Sequence, residues 1–322
     1  MSAAKSFKKI FTRKRLQEIY TDRIKNSGAI GLDRMRPASL DKQLTAELDY
    51  IVDKVHRGEY RFTAYKEKLI LKGASSPPRQ ISIPTARDRI VLRALCNCLS
   101  DVFPDAKLTL PQTVIDSLKS ALDSGAYAEY AKIDLQKFYP TIPHELVAAA
   151  TRKKIQKTEF RQLITAALTT PTVPESRGSK DADRPTVGAP QGLAISNVLA
   201  EIALQGIDSL FEARTGIWYK RYVDDILILG PAGVARSTAH ELIAELKALK
   251  LNPHDFEPGS KSKVESLTDP FSFLGYQIEG NQVLIRHESI LRFESSIAKI
   301  FTAYRHKLVT ARRPADKERA LA

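Results

Sequence analysis

An α+β fold is what the sequence predicts, because helical and strand-like segments mix irregularly and the strand-like ones come as adjacent pairs. Two pairs show this directly. Residues 216–230 read as a hairpin whose apolar strands, IWYKRYV and ILIL, pinch together at Asp224 and Asp225. Residues 271–286 read as a second hairpin, turning at 279–281. Sequential pairing of this kind favours antiparallel sheets over a doubly wound parallel one. At 322 residues and 43% apolar composition, the chain has room for two or three subdomains around a sizeable core.

The elements follow in order. Residues 39–58 read as a helix, with Leu40, Leu44, Leu48, Ile51, Val52 and Val55 on one face, Ser39 able to cap the start and Gly58 to end it. Residues 68–72 (KLILK) and 79–84 (RQISIP) read as short strands around a Gly/Ser/Pro turn. A helix over 85–103 buries Ile90, Val91, Ala94, Leu95, Cys98 and Leu99. A short strand at 131–135 leads into Phe138, Tyr139 and Pro140, then a helix from about residue 143. Residues 170–187 are linker-like, rich in Pro, Ser, Gly and charge. Further helices are expected over 192–214, 236–251 and 288–309, and no internal repeat is visible.

Charge is uneven. Residues 1–36 hold ten Lys/Arg against three Asp/Glu and residues 286–322 nine against four, which accounts for nearly all of the net +13. Basic ends suit phosphates; the plainer reading is a solvated surface or tail. Phe7, Phe11 and Tyr20 at one end and Phe301 and Tyr304 at the other could stack on bases, although such residues more often belong to a core. Cys96 and Cys98 lie on different faces of their helix and lack metal-ligand spacing, which suggests a reducing, cytoplasmic setting. No apolar run approaches the ~18 residues that span a bilayer, and no secretory signal is evident.

Two places could carry chemistry. Asp134 ends the apolar strand AKIDL, where an unpaired carboxylate is costly. Asp224 and Asp225 are neighbours at a tight hairpin and repel one another unless a cation lies between them. Turn aspartates are common, so this pair is telling only together with Asp134. Phosphoryl transfer needs such carboxylates to hold divalent cations against phosphate oxygens.

Five blocks resemble a known family. Tyr222-Val223-Asp224-Asp225 is similar to the Y-x-D-D box of reverse transcriptases, and Asp134 through Tyr139 to their first palm motif. Gly188-Ala189-Pro190-Gln191-Gly192, with Ser196 and Asn197, resembles the P-Q-G loop and helix beneath the primer–template pair. Phe273-Leu274-Gly275-Tyr276 resembles the strand before the thumb. Arg79 to Pro84 and Asp88 to Val91 resemble the fingers motif of group II intron and retron enzymes. Arg34 departs from a Gly-x-Asp-Gly motif, and no Val-Thr-Gly segment of the retron kind follows the Y-x-D-D box. The Gln191–Ser196 run and Leu199-Ala200-Glu201-Ile202 look more like bacterial defence-associated reverse transcriptases.

The resemblance implies a right hand: a basic N-terminal extension (1–36), fingers (37–125), palm (126–280) and a short thumb helix (281–322). It implies two Mg2+ ions on Asp134, Asp224 and Asp225, and primer extension with dNTPs on an RNA template to give a DNA product. Lys72 and Arg79 would clamp the triphosphate, Tyr139 would exclude ribonucleotides, and Gln191 would lie near the nucleotide. Lys261, or else Lys263, would face the leaving pyrophosphate. A dedicated non-coding RNA, a partner protein or self-association could complete the grip of a short thumb, with no membrane involved. The other readings are template-independent or protein-primed DNA synthesis, RNA synthesis, and a catalytically silent nucleic-acid-binding scaffold.

Overall fold

The computed structural model describes residues 2–71, 77–176 and 182–310. The basic N-terminus is folded rather than a tail. Helices α1 (Ala3–Ile10) and α2 (Arg13–Ile19), the latter capped by the Thr12 hydroxyl, lead into a π turn at Tyr20–Ile24. Phe7, Phe11 and Tyr20 are fully buried, so these three base-stacking candidates are core residues. Their spacing explains this: the apolar residues of α1 fall on one face, and its lysines take the other.

The helix expected from Ser39 starts instead as a 3-10 segment over Pro37–Gln43, and α3 (Leu44–His56) follows. Strands β1 (Tyr65–Ile70) and β2 (Arg79–Ile83) pair antiparallel, with Ile70 opposite Arg79. Helix α4 (Ala86–Val102) is capped by Thr85, whose hydroxyl accepts from the Asp88 N–H. The buried Asp88 carboxylate in turn accepts from Tyr60 Oη at 2.8 Å, Thr85 Oγ1 at 2.8 Å and the Thr63 N–H at 3.1 Å. Helix α5 (Pro111–Asp123) then crosses to a second layer.

The central sheet is built from distant segments. Strand β3 (Glu129–Asp134) is followed by α6 (Phe138–Thr141), α7 (His144–Arg152), α8 (Thr158–Thr169) and β4 (Thr172–Val173). The linker-like stretch is therefore partly strand: β4 pairs parallel with Tyr65 and Lys66 of β1. Next come α9 (Ser196–Glu212), β5 (Trp218–Tyr222), β6 (Asp225–Gly230), α10 (Val234–Ala248) and β7 (Lys263–Ser266). The strands order as β5-β6-β3-β7, each pair antiparallel.

This sheet is buried on both faces, which explains why β6 reads as an unbroken apolar run. Ile226 and Ile228 enter the main core, while Leu227 and Leu229 join Tyr130, Leu118, Phe271 and Phe273 on the far side. The far layer is a three-stranded meander rather than the single expected hairpin: β8 (Phe271–Phe273), β9 (Tyr276–Glu279) and β10 (Gln282–Ile285). A two-residue turn, Leu274–Gly275, joins the first two strands with both φ angles positive, the backbone that suits a tight hairpin. Helix α11 (His287–Thr310) closes the described chain.

Candidate active site

Strand register brings the three aspartates together. Asp134, the last residue of β3, lies opposite Asp225, the first of β6. Tyr222 pairs with the same Asp225, so Val223 and Asp224 form a two-residue turn that projects from the sheet end. The Leu135 N–H donates to the Asp224 carbonyl at 3.2 Å and ties the turn to β3.

That turn is strained. Val223 has φ 59°, a left-handed backbone that a β-branched residue adopts at a cost of about 1–3 kcal/mol. What holds it is Arg221, whose side chain is 2% exposed. Its guanidinium donates to the Val223 carbonyl at 3.0 Å, to Glu201 at 2.7 and 3.0 Å, and to Asp208 at 2.6 and 2.9 Å. Both carboxylates stand on α9, so the helix fixes the turn from behind. Tyr219 completes the set by donating to Asp208 at 2.9 Å.

The electrostatics are those of a crowded acidic site. Burial raises the Asp224 pKa, and the neighbouring Asp225 and Asp134 push it the same way, while Arg79 opposes them. Lys132 Nζ stands 3.5 Å from Asp225 Oδ1 and donates to the Ser272 carbonyl at 3.0 Å. Asp134 Oδ2 has His254 Nε2 at 3.4 Å and Lys261 Nζ at 3.6 Å. His254 is itself placed by a short extension of the sheet. Its N–H donates to the Asp134 carbonyl, the Gln136 N–H donates to the Asn252 carbonyl, and the Gln136 amide meets Nδ1 at 3.1 Å. With Nδ1 accepting from that amide, Nε2 carries the proton and points it at Asp134.

Among the described residues no three His, Cys, Asp or Glu side chains form a ready-made metal cage. The donor set nevertheless fits magnesium, which takes one or two carboxylates and fills its shell with phosphate oxygens and water. Asp134, Asp224 and Asp225 are the residues that could hold it, and the like-charge pressure on Asp224 is what a cation would relieve.

The remaining predicted residues surround this centre. Tyr139 is half-buried; its hydroxyl donates to Asn197 Oδ1 at 2.8 Å. Burial, reinforced by Glu201 and Asp224, pushes its pKa up to about 12, so it stays a neutral phenol. Gln191 ties the loop to β2, its carbonyl accepting from the Ser82 N–H at 2.7 Å. The loop's glycines are obligatory. A Cβ on Gly188 (φ 93°) would lie 2.7 Å from the Pro140 carbonyl oxygen, and one on Gly192 (φ 102°) 2.9 Å from Ile81 and 3.0 Å from the Ser82 oxygen. Arg79 is exposed at the start of β2, within electrostatic reach of Asp224. Of the two lysines left open, Lys261 is the one at Asp134; Lys263 donates to Glu265 at 2.5 Å and lies over the Tyr130 ring. Lys72 lies outside the described residues.

Sequence reasoning missed Lys132, His254 and the Arg221–Glu201–Asp208 set. Arg221 had a signal, a charge inside an apolar strand beside the Asp pair; His254, in the loop after α10, had none.

Residues 70–278 match the family model described as reverse transcriptase (RNA-dependent DNA polymerase). Among curated proteins, the chain is similar to an uncharacterised 91 kDa protein in the cob intron of Schizosaccharomyces pombe, 28% identical over 59% of this chain and 24% of that protein. It is also similar to protein YkfC of Escherichia coli, 24% identical over 77% of this chain and 75% of the other. The chain thus spans about a quarter of the first relative's length and three quarters of the second's. Among solved structures it resembles telomerase from Candida albicans in complex with a TWJ fragment of telomeric RNA, with a TM-score of 0.55 at 14% identity over 78% of this chain and 50% of that one. Apo telomerase from Candida tropicalis, truncated from its C-terminal domain, gives 0.54 at 14% identity over 70% and 55%. At such identity the likeness shows the fold alone, an α+β right-hand polymerase.

Proposed function

The chain belongs to the reverse transcriptase (RNA-dependent DNA polymerase) family, and from that premise we propose that it extends a primer 3′ end with dNTPs on an RNA template. The observation that carries this is the convergence of Asp134, Asp224 and Asp225 at one sheet end, beside Arg79 and Tyr139. Two magnesium ions bound there would neutralise the attacking and leaving oxygens of an in-line displacement. Residues 37–125 act as fingers with the helices of 3–24 packed on them, 126–280 as palm, and α11 as a short thumb.

The chain's own groups divide the remaining work. Arg79, with Lys72, binds the triphosphate through charge-assisted hydrogen bonds. The Tyr139 ring, steadied by Asn197, fills the space a 2′-hydroxyl would need. Lys261 Nζ gives its proton to the departing pyrophosphate. A role in bacterial antiviral defence, resting on the likeness at Gln191–Ser196 and Leu199–Ile202, belongs to the same proposal. It requires that phage plating efficiency change with the wild-type chain and not with the Asp224→Ala–Asp225→Ala variant.

The deciding experiment is primer extension by the purified chain with its bound nucleic acid, labelled dNTPs and magnesium, with and without RNase, beside Asp224→Ala–Asp225→Ala. Incorporation that needs RNA and vanishes in the double variant is the expected result. Incorporation insensitive to RNase would instead mean untemplated or DNA-templated synthesis, and none at all a silent scaffold or an enzyme completed by a missing partner.

A further inference from the structure

Helix α11 presents an apolar stripe that nothing in the chain covers among the described residues. Ile290, Phe293, Ile297, Phe301 and Tyr304 stand 40%, 66%, 37%, 61% and 37% exposed, with Ile300 beside them at 68%. Every side chain described from Arg292 to His306 is exposed, so the helix runs along no other element. An unburied ridge of this kind marks an interaction surface, and packing of the apolar face, rather than propensity, is what stabilises most helices.

Three observations identify what covers it. Charge argues first against nucleic acid. At 100° per residue, Arg292, Lys299 and His306 run down the side opposite Ile297, while the stripe's flank is mixed, with Glu294 and Arg305 of opposite sign. A phosphate backbone would meet the basic side, not this one. Second, residues 311–322 (ARRPADKERALA) cannot fill the stripe, since Leu321 is their one large apolar side chain. Third, the stripe is symmetric about Ile297. Phe293 and Phe301 stand four residues to either side of it, and Ile290 and Tyr304 seven to either side.

A pattern that reads the same from both ends is self-complementary under a two-fold axis, which is what an isologous interface requires. We propose that α11 pairs antiparallel with α11 of a second copy about an axis at Ile297. Phe293 then meets Phe301 across the axis and Ile290 meets Tyr304, with the 3-4 spacing of a helix–helix seam. Glu294 faces the position of Ile300, so no like charges oppose. The basic sides of both helices point outward from the pair.

The test uses the full chain freed of nucleic acid, so its outcome does not depend on polymerase activity. Sedimentation equilibrium at micromolar concentration is expected to give twice 35.9 kDa. Ile297→Glu should weaken the pair at least tenfold while circular dichroism and melting remain those of the wild type; Arg292→Gln, on the opposite side, should leave the mass doubled. Under mild oxidation Ile297→Cys should cross-link to itself, and Ile290→Cys only when mixed with Tyr304→Cys, against a wild-type background containing Cys96 and Cys98. A wild-type mass of 35.9 kDa overturns the proposal. So does a dimer that survives Ile297→Glu, or self-cross-linking of Ile290→Cys, which would mean parallel pairing. Protection of the stripe only when an RNA–DNA duplex is added would assign it to nucleic acid instead.

Discussion

Arg221 is the buried charge on which the Val223–Asp224 turn rests, and its removal leaves Glu201 and Asp208 facing each other without a cation. Breaking a buried ion set in this way costs about 3–5 kcal/mol. Arg221→Met is therefore expected to lower unfolding free energy by that amount in urea titration, and a loss below about 1 kcal/mol would mean the set is not what holds the turn. His254 acts differently, through the hydrogen it points at Asp134 Oδ2. His254→Ala should weaken Mn2+ binding, read by electron paramagnetic resonance on the primer–template complex, about tenfold. His254→Asn, which keeps a donor, should recover part of it. Tyr139→Ala is expected to admit ribonucleotides, whereas Tyr139→Phe keeps the ring and should still exclude them; equal discrimination in both variants removes the steric role. The aspartates were legible because phosphoryl transfer restricts its residue types and the motifs keep their order. Arg221's partners lie on α9, 13 and 20 positions away, and nothing local in the sequence joins them.

Asp88 shows how one residue governs an element. It lies in the first turn of α4 and fixes the Tyr60–Thr63 segment, yet burial raises its pKa from 3.8 to about 6 against its hydrogen bonds. A carboxyl with a raised folded-state pKa favours the fold while protonated, below about pH 4, and that contribution is lost as pH rises through about 6. Asp88→Asn mimics the protonated form. The wild type should therefore lose stability relative to this variant between pH 4 and 6, by up to about 3 kcal/mol, read from paired melts. A constant difference would mean Asp88 is not the titrating group. At this scale the sequence was readable where apolar spacing was clean, as in α4, α9 and β6. Charge density obscured α1 and α2, although Phe7, Ile10, Phe11 and Leu16 already have the spacing of a buried face. Helices α5 and α8 carried an equally plain signal in Leu118 and Leu122 and in Phe160, Leu163 and Ala167. The β8–β10 meander was hidden because Leu274 takes a positive φ that its residue type does not announce.

At the scale of the molecule, most of the net charge of +13 lies in two stretches of sequence, +7 in residues 1–36, which form a folded body, and +5 in residues 286–322, which include α11. The two therefore cannot do the same work. In the first, the aromatic residues are spent on the core, so its lysines can meet phosphate only as surface charge. On α11, Arg292 and Lys299 project from one exposed side of a helix that continues from the sheet beneath Asp225's strand. If α11 is the thumb, those two cations lie along the duplex leaving the active site. Each phosphate contact releases condensed counterion and contributes about 0.9 to the slope of log affinity against log salt. Arg292→Gln–Lys299→Gln should then reduce that slope by about two for a primer–template duplex, in anisotropy titrations across a salt series. Asp224→Ala–Asp225→Ala should leave the slope nearly unchanged, because carboxylates neutralise no phosphates and so release none of their counterions. An unaltered slope in the α11 variant would separate the helix from duplex binding altogether, and would leave the N-terminal body as the main source of electrostatic grip.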